Sequence, residues 1–254
     1  MSKFFKYTLV AAAAVMISAC ASAQAPKRYS FKVEEVFNHD THSYTQGLFF
    51  HKGQFYESAG QYGESSMRKV DLKTGKVLKR QNFERRYFAE GSCILNNRLY
   101  VLTWQEKTCF VYKPDTFEKI GSFRYNTEGW GLTTDGKQLI MSDGSDRIFF
   151  RDPNSFAVKK EIKVTVNGRP LEYLNELEYI KGEIWANVYG SDYIVIINPD
   201  NGVVRAIIDC TDLLPRQLRK PSTDVLNGIA YNPANDGIYI TGKNWPKLYR
   251  ITLK

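Results

Sequence analysis

Five short segments each begin with a side chain able to bind or react, followed in most cases by Gly and an aliphatic residue. They are Gln46-Gly47-Leu48, Glu90-Gly91-Ser92, Trp130-Gly131-Leu132, Asn175-Glu176-Leu177 and Asn227-Gly228-Ile229. Their first residues lie 44, 40, 45 and 52 positions apart, so they read as one position of a repeat. A purely structural position would carry small or aliphatic residues. Three amides, one carboxylate and one indole are instead groups that orient a small polar ligand, and a few such groups among aromatics are the usual make-up of a ligand site. Trp104, Tyr189 and Lys243, just past the second strands of their repeats, join them. Glu90 is the one carboxylate of the five. Enclosed by aromatics it would be desolvated, which raises its pKa toward neutrality and lets it take and return a proton. Plainer readings stand beside this one. The amides also suit hydrogen bonding to internal water and backbone, Glu90 a salt bridge to Lys243, and the tryptophans packing between sheets.

The elements that must position these residues follow from the same register. From about residue 29 to the C-terminus, apolar and polar residues alternate between Gly, Asn and Asp turns, and no long stretch has a 3.6-residue apolar period. This predicts an all-β fold. Each opening segment leads into a strand, a tight turn such as Asn96-Asn97 or Asp135-Gly136-Lys137, and a second strand ending at Ser58, Thr103, Ser142, Asn187 or Thr241. Two more strands follow, joined by turns such as Lys73-Thr74-Gly75 and Pro199-Asp200-Asn201-Gly202. Four strands in roughly 45 residues is the period of a propeller blade, and five repeats predict a five-bladed β-propeller. The fifth repeat ends after its third strand, Lys247 to Lys254, so the strand around Tyr29 to Phe37 is expected to supply the fourth and close the ring. The first strand of each blade lines the central channel, which places Gln46, Glu90, Trp130, Asn175 and Asn227 at one mouth of it, with Trp104, Tyr189 and Lys243 alongside. Thr211 to Thr223, basic and proline-containing, is expected as a surface loop.

The N-terminus has a basic start at Lys3 and Lys6, an apolar run from Tyr7 to Ile17, and then Ile17-Ser18-Ala19-Cys20. That run is too short to span a bilayer comfortably, and its pattern is that of a secretory leader. The tetrapeptide resembles the site at which bacterial lipoprotein leaders are cut, which would make Cys20 the lipidated first residue. Cleavage near Ala23 is the alternative. The expected divisions are a leader at 1–19, an anchor and linker at 20–28 and one catalytic propeller at 29–254, exported and facing the periplasm as a monomer. The formal charge of +8 is spread along the chain without a basic run or nucleic-acid motif, so a nucleic-acid partner is not expected. Cys93, Cys109 and Cys210 remain after the leader, and an odd count argues against a disulfide framework, with a Cys93–Cys109 bridge left open. His39, His42 and His51 read as surface or turn residues rather than metal ligands. Asp143 and Asp146 suit an Asp-Gly turn more than a structural cation.

At these residues the chain resembles the plant- and bacterial-type glutaminyl cyclases. The resemblance lies in Tyr44-Thr45-Gln46-Gly47-Leu48, Phe88-Ala89-Glu90-Gly91, Leu102-Thr103-Trp104, Glu128-Gly129-Trp130-Gly131-Leu132, Leu174-Asn175-Glu176-Leu177-Glu178-Tyr179, Trp185-Ala186-Asn187-Val188 and Gly242-Lys243-Asn244-Trp245-Pro246. It implies a five-bladed propeller that converts the N-terminal glutamine of peptides or proteins to pyroglutamate with loss of ammonia, without a cofactor. It further implies Glu90 as general acid and base, Gln46, Asn175 and Lys243 on the substrate's amide and backbone groups, and Trp104 and Trp130 around its aliphatic part. Two positions depart from the family pattern. Tyr189 stands where many members have tryptophan, and Cys93 where threonine is common. The competing expectation is a non-catalytic envelope propeller that binds peptides or glycans at the same rim, since this fold hosts many functions.

Overall fold

The computed structural model describes residues 25–254. The alternating segments form antiparallel four-stranded sheets, and the one helical element among the described residues is the 3-10 turn Arg216–Leu218. Blade 1 runs Thr45–His51, Gln54–Ala59, Ser66–Val70 and Val77–Asn82; blade 2 runs Ala89–Leu95, Arg98–Thr103, Thr108–Tyr112 and Lys119–Arg124. Blade 3 is Leu132–Thr134, Leu139–Ser142, Arg147–Arg151 and Val158–Lys163, and blade 4 is Leu174–Ile180, Glu183–Val188, Tyr193–Ile197 and Val204–Asp209. Blade 5 is Leu226–Asn232, Gly237–Gly242 and Lys247–Leu253, completed by Phe31–Asn38. The five innermost strands touch in the cyclic order 1, 2, 3, 4, 5, 1, so the ring is closed.

Closure uses the N-terminal strand, as the sequence predicts: Phe31 pairs with Leu253 and Asn38 with Lys247 in antiparallel register. A second latch lies just before it. Lys27–Tyr29 pairs in parallel with the outer strand of blade 4, Lys27 against Ala206 and Tyr29 against Ile208. The last residues of the expected 20–28 linker are therefore part of the propeller. Three residues show no readable alternation, and a parallel edge pairing has no turn to announce it.

Among the described residues the hydrophobic core is divided into five clusters, one at each blade interface. Leu102, Cys93 and Cys109 face Leu132 and Leu139 between blades 2 and 3, for example, and Ile208, Ile196 and Trp185 face Ile229, Ile240 and Tyr249 between blades 4 and 5. Each fully buried aliphatic side chain contributes about 1.5–3 kcal/mol relative to exposure. The gradient from axis to rim explains the patterning. The first strand of blade 2 is buried throughout, whereas the outer strand of blade 1 alternates half-buried and exposed residues. Within Thr211 to Thr223, Leu213 and Leu214 are buried against the 4–5 cluster and pin an otherwise exposed loop. Cys93, Cys109 and Cys210 are free and buried.

Candidate active site

Four of the five opening residues, all but Trp130, reach the axis through bulges. In blade 1 the first two strands pair Thr45 with Ala59 and then Gly47 with Ser58, which leaves Gln46 as a surplus residue. The same one-residue surplus falls at Glu90-Gly91, Asn175-Glu176 and Asn227-Gly228. A bulge breaks the ladder and re-aims a side chain, so the repeated motif is the signature of a turned-in residue. The glycine after it allows the blades to meet backbone to backbone. A Cβ on Gly91 would lie 2.3 Å from Leu132 N, and one on Gly131 2.0 Å from Asn175 O. The small polar residues that end the second strands tie these junctions. Ser58 Oγ donates to Glu90 O at 2.6 Å and Ser142 Oγ to Asn175 O at 2.7 Å.

A cavity of about 220 Å³ opens there, smaller than the roughly 300–1,000 Å³ of pockets for drug-sized ligands. Gln46, Glu90, Asn175 and Lys243, all nearly inaccessible, are among its polar lining. Tyr44, Phe88 and Trp104 form one aromatic wall, with Phe88 edge-on to both neighbours, and Trp130 and Tyr189 meet edge to face at 5.7 Å in another. Lys243 Nζ lies 4.8 Å from the Tyr44 ring centre and 4.9 Å from that of Tyr189. Seven of the eight positions expected at the rim therefore converge on one cavity. Tyr44, Gln61 and Phe88 are lining residues that sequence reasoning passed over. A signal was present for two of them, since Tyr44 and Phe88 each stand two residues before an opening position.

Asn227 is the exception. It does not line the cavity but lies fully buried behind Gln46, donating from Nδ2 to Gln46 Oε1 at 3.0 Å and to Thr45 O at 2.9 Å. With its oxygen so engaged, Gln46 turns its amide nitrogen to Glu90, donating to Oε1 at 3.1 Å. Burial pushes the Glu90 carboxyl well above the usual carboxylate range. Lys243 opposes that rise through space, and Glu128 and Glu106 add to it. Lys243 makes no contact ion pair with Glu90. Its own pKa is lowered by burial against the support of Glu90 and Asp224. Asn175 Oδ1 is buried without a hydrogen-bond partner among the described residues.

Three comparisons bear on this geometry. The sequence model of the glutamine cyclotransferase family matches residues 7–253. The chain belongs to that family. It is 44% identical over 223 residues to a glutaminyl-peptide cyclotransferase of Arabidopsis thaliana, covering 86% of this chain and 69% of that one. The crystal structure of the glutaminyl cyclase of Myxococcus xanthus superposes with a TM-score of 0.84 at 34% identity, over 90% of this chain and 98% of that chain. The WD40 propeller domain of Doa1, at 14% identity and a TM-score of 0.50, shares the fold alone.

Two further features of this cyclotransferase-family chain lay outside the sequence expectations. His39 is not a surface residue. Its side chain is 4% exposed, with Nε2 2.9 Å from Glu57 Oε1 and Nδ1 2.7 Å from Trp245 O, where the N-terminal segment seals blade 5 to blade 1. Ser43 and Thr45 hydroxyls donate to the same Glu57 oxygen, and beside it Arg68 pairs with Asp40. Polar spacing alone could not tell this buried network from a hydrophilic loop. Glu176, which takes the place of glycine in the fourth opening segment, sends its carboxyl to blades 1 and 5 and accepts from Leu48 N at 3.2 Å and Ile229 N at 2.8 Å. Glu178 accepts from Tyr231 N and Thr133 Oγ1, and burial pushes its carboxyl up to about 8. Asp143 caps an Asx turn, accepting from Ser145 N and Oγ. Among the described residues no three His, Cys, Asp or Glu are grouped to hold a metal ion.

Proposed function

We infer that this protein is a glutaminyl-peptide cyclotransferase, converting an N-terminal glutamine to pyroglutamate with release of ammonia. The observation that carries the reading is a buried, charge-averse carboxyl, Glu90, held by Gln46 in the lining of an aromatic cavity sized for one side chain. The substrate's α-amine attacks the Cδ of its own side-chain carboxamide. A C–N bond forms, the nitrogen of the carboxamide departs as ammonia, and the attacking nitrogen loses one proton. Glu90 takes that proton and returns it to the leaving nitrogen, so the carboxyl ends as it began. A pKa raised by burial suits this duty, because a desolvated carboxylate is a stronger base toward the attacking amine than a solvated one.

The other lining groups have assignable roles. Lys243, a buried cation packed on two tyrosine rings, faces the charge that develops on the carboxamide oxygen, where a fixed donor is worth most. Asn175 Oδ1, otherwise unpartnered, accepts from the substrate's amine or backbone N–H. Trp104, Trp130 and Tyr189 enclose the aliphatic part of the glutamine, while Asn227 orients Gln46 from behind. Tyr189, 40% exposed at the mouth, also meets the residue that follows.

The test is that purified protein should release ammonia from a glutaminyl-phenylalanine amide, and should continue to do so with a chelator present. Saturable binding of that peptide without ammonia release would replace this reading with the non-catalytic one. The leader supports an exported bacterial enzyme tethered in the envelope through lipidated Cys20, acting as a monomer toward the periplasm. Cys20 lies outside the described residues, and Cys20→Ala should move the protein from the membrane to the soluble fraction.

A further inference from the structure

The two indoles that wall the cavity converge on one carboxylate outside it. Trp104 Nε1 donates to Glu128 Oε2 at 2.7 Å, and Trp130 Nε1 donates to the same oxygen at 3.0 Å. Gln105 Nε2 reaches the other oxygen at 3.4 Å. Trp104 follows the second strand of blade 2 and Trp130 opens blade 3, so Glu128 joins walls supplied by separate blades. Its own backbone is closely held. Gly129 N donates to Trp104 O at 3.2 Å, and a Cβ on Gly129 would lie 2.2 Å from the Tyr125 hydroxyl. The repeat makes the residue type informative. Two positions before the opening residue, repeats 1, 2 and 4 carry Tyr44, Phe88 and Tyr173, so the propeller scaffold has no need of a carboxylate there.

We propose that Glu128 is a positioning residue that sets the separation and tilt of Trp104 and Trp130 around the substrate's glutamine side chain. This rests on the cyclotransferase reading of the site. A carboxylate suits the role because an indole N–H can only donate, and charge-assisted hydrogen bonds are roughly twice as strong as neutral ones. Enclosing walls displaced by a fraction of an ångström would no longer hold the amine in line with Cδ. Glu128 also acts on Glu90 through space. The charged groups that bear on Glu90 are Lys243 from blade 5, Glu106 from blade 2 and Glu128, the last two favouring the protonated carboxyl. Tyr44, whose own phenol is held neutral by burial and Asp224, adds no charge.

The test compares Glu128→Gln and Glu128→Ala with wild type in kcat/KM on the glutaminyl-phenylalanine amide, its pH profile, tryptophan emission and thermal melting. Trp104 and Trp130 are two of four tryptophans, and the other two, Trp185 and Trp245, are buried in the core, so a change in emission reports the pair. Glu128→Ala should lower kcat/KM by about 10- to 100-fold, the scale of a lost charge-assisted hydrogen bond and its misplacement, and shift the emission. Glu128→Gln, which keeps an acceptor oxygen, should recover part of the kcat/KM. Both variants should move the Glu90 limb of the pH profile to lower pH, because a negative neighbour is gone. Unchanged emission and kcat/KM in a folded Glu128→Ala protein would overturn the proposal. So would losses that merely follow the folded fraction, with the pH profile of Glu128→Gln unmoved. If wild type itself releases no ammonia, the cyclotransferase reading fails, and the emission shift still decides whether Glu128 holds the indoles.

Discussion

Glu90→Gln isolates the proton-transfer role with little change in shape. The carboxamide oxygen can take the place of Oε1 and accept from Gln46, so the 3.1 Å hydrogen bond and the Asn227–Gln46 arrangement behind it persist. What is lost is a group that can pass a proton. Positioned general acid–base catalysis contributes about 10²–10⁴-fold, or about 3–5 kcal/mol of barrier at roughly 1.4 kcal/mol per tenfold. The walls, Lys243 and Asn175 remain, so kcat should fall by that factor while KM changes little. Stability should move the other way. The folded-state pKa of Glu90 is raised, so its contribution is fully present below the unfolded value and is lost as pH rises through the folded one. Glu90→Gln should therefore match wild type in acid and exceed it in alkaline thermal melts. Ammonia release from the glutaminyl-phenylalanine amide, followed together with melting at pH values on both sides of neutrality, reads both effects. A folded Glu90→Gln enzyme keeping more than about a tenth of the wild-type kcat would fall short of the general acid–base range and refute the acid–base assignment.

Replacing Lys243 by Met should cut kcat by about 10²–10³-fold, the scale of a lost oxyanion donor. It should also move the Glu90 limb of the pH profile upward, since Lys243 is the group that lowers that carboxyl. Asn227→Ala, which touches no substrate, should release Gln46, costing about 1–3 kcal/mol in urea denaturation for the buried group left unpaired and lowering kcat/KM as the Gln46 donor to Glu90 is loosened. The Glu57 carboxyl is opposed by burial but held down to about 2 by His39, Arg68 and Ser43. Its stabilisation is present above an unfolded pKa of about 4.3 and is lost as pH falls toward about 2, a slope that Glu57→Gln should flatten in acid denaturation. Burial would depress the pKa of His39, yet Glu57 raises it on balance, so its share is present below about 6.5 and fades as pH climbs through the folded value. Removing residues up to 30 should lower the melting temperature by a few degrees through loss of the parallel latch, whereas removal up to 38 takes the closing strand of blade 5 and should abolish cooperative melting.

Much of the architecture was legible in the chain because a repeat encodes its own geometry. Two-residue alternation marked the strands, turn residues their ends, and five equivalent openings the blades. Since equivalent positions of a closed ring must lie around one axis, register alone brought Gln46, Glu90, Trp130 and Asn175 together, with Trp104, Tyr189 and Lys243 beside them. It could not grade their depth. Asn227 occupies the same repeat position as Glu90, with the same one-residue bulge, yet lies behind Gln46, where its amide is taken up by Gln46 Oε1 and Thr45 O of the neighbouring blade. His39 read as a loop residue, since the sequence holds no trace that Glu57, 18 residues away, and Trp245, 206 residues away, would enclose it. Lys27–Tyr29 was too short to alternate. Periodicity and composition, which are local, thus determined the propeller and its ring of candidate groups. The tertiary structure alone decided which polar groups desolvate one another, because burial and charge proximity depend on segments far apart in the chain meeting at the axis.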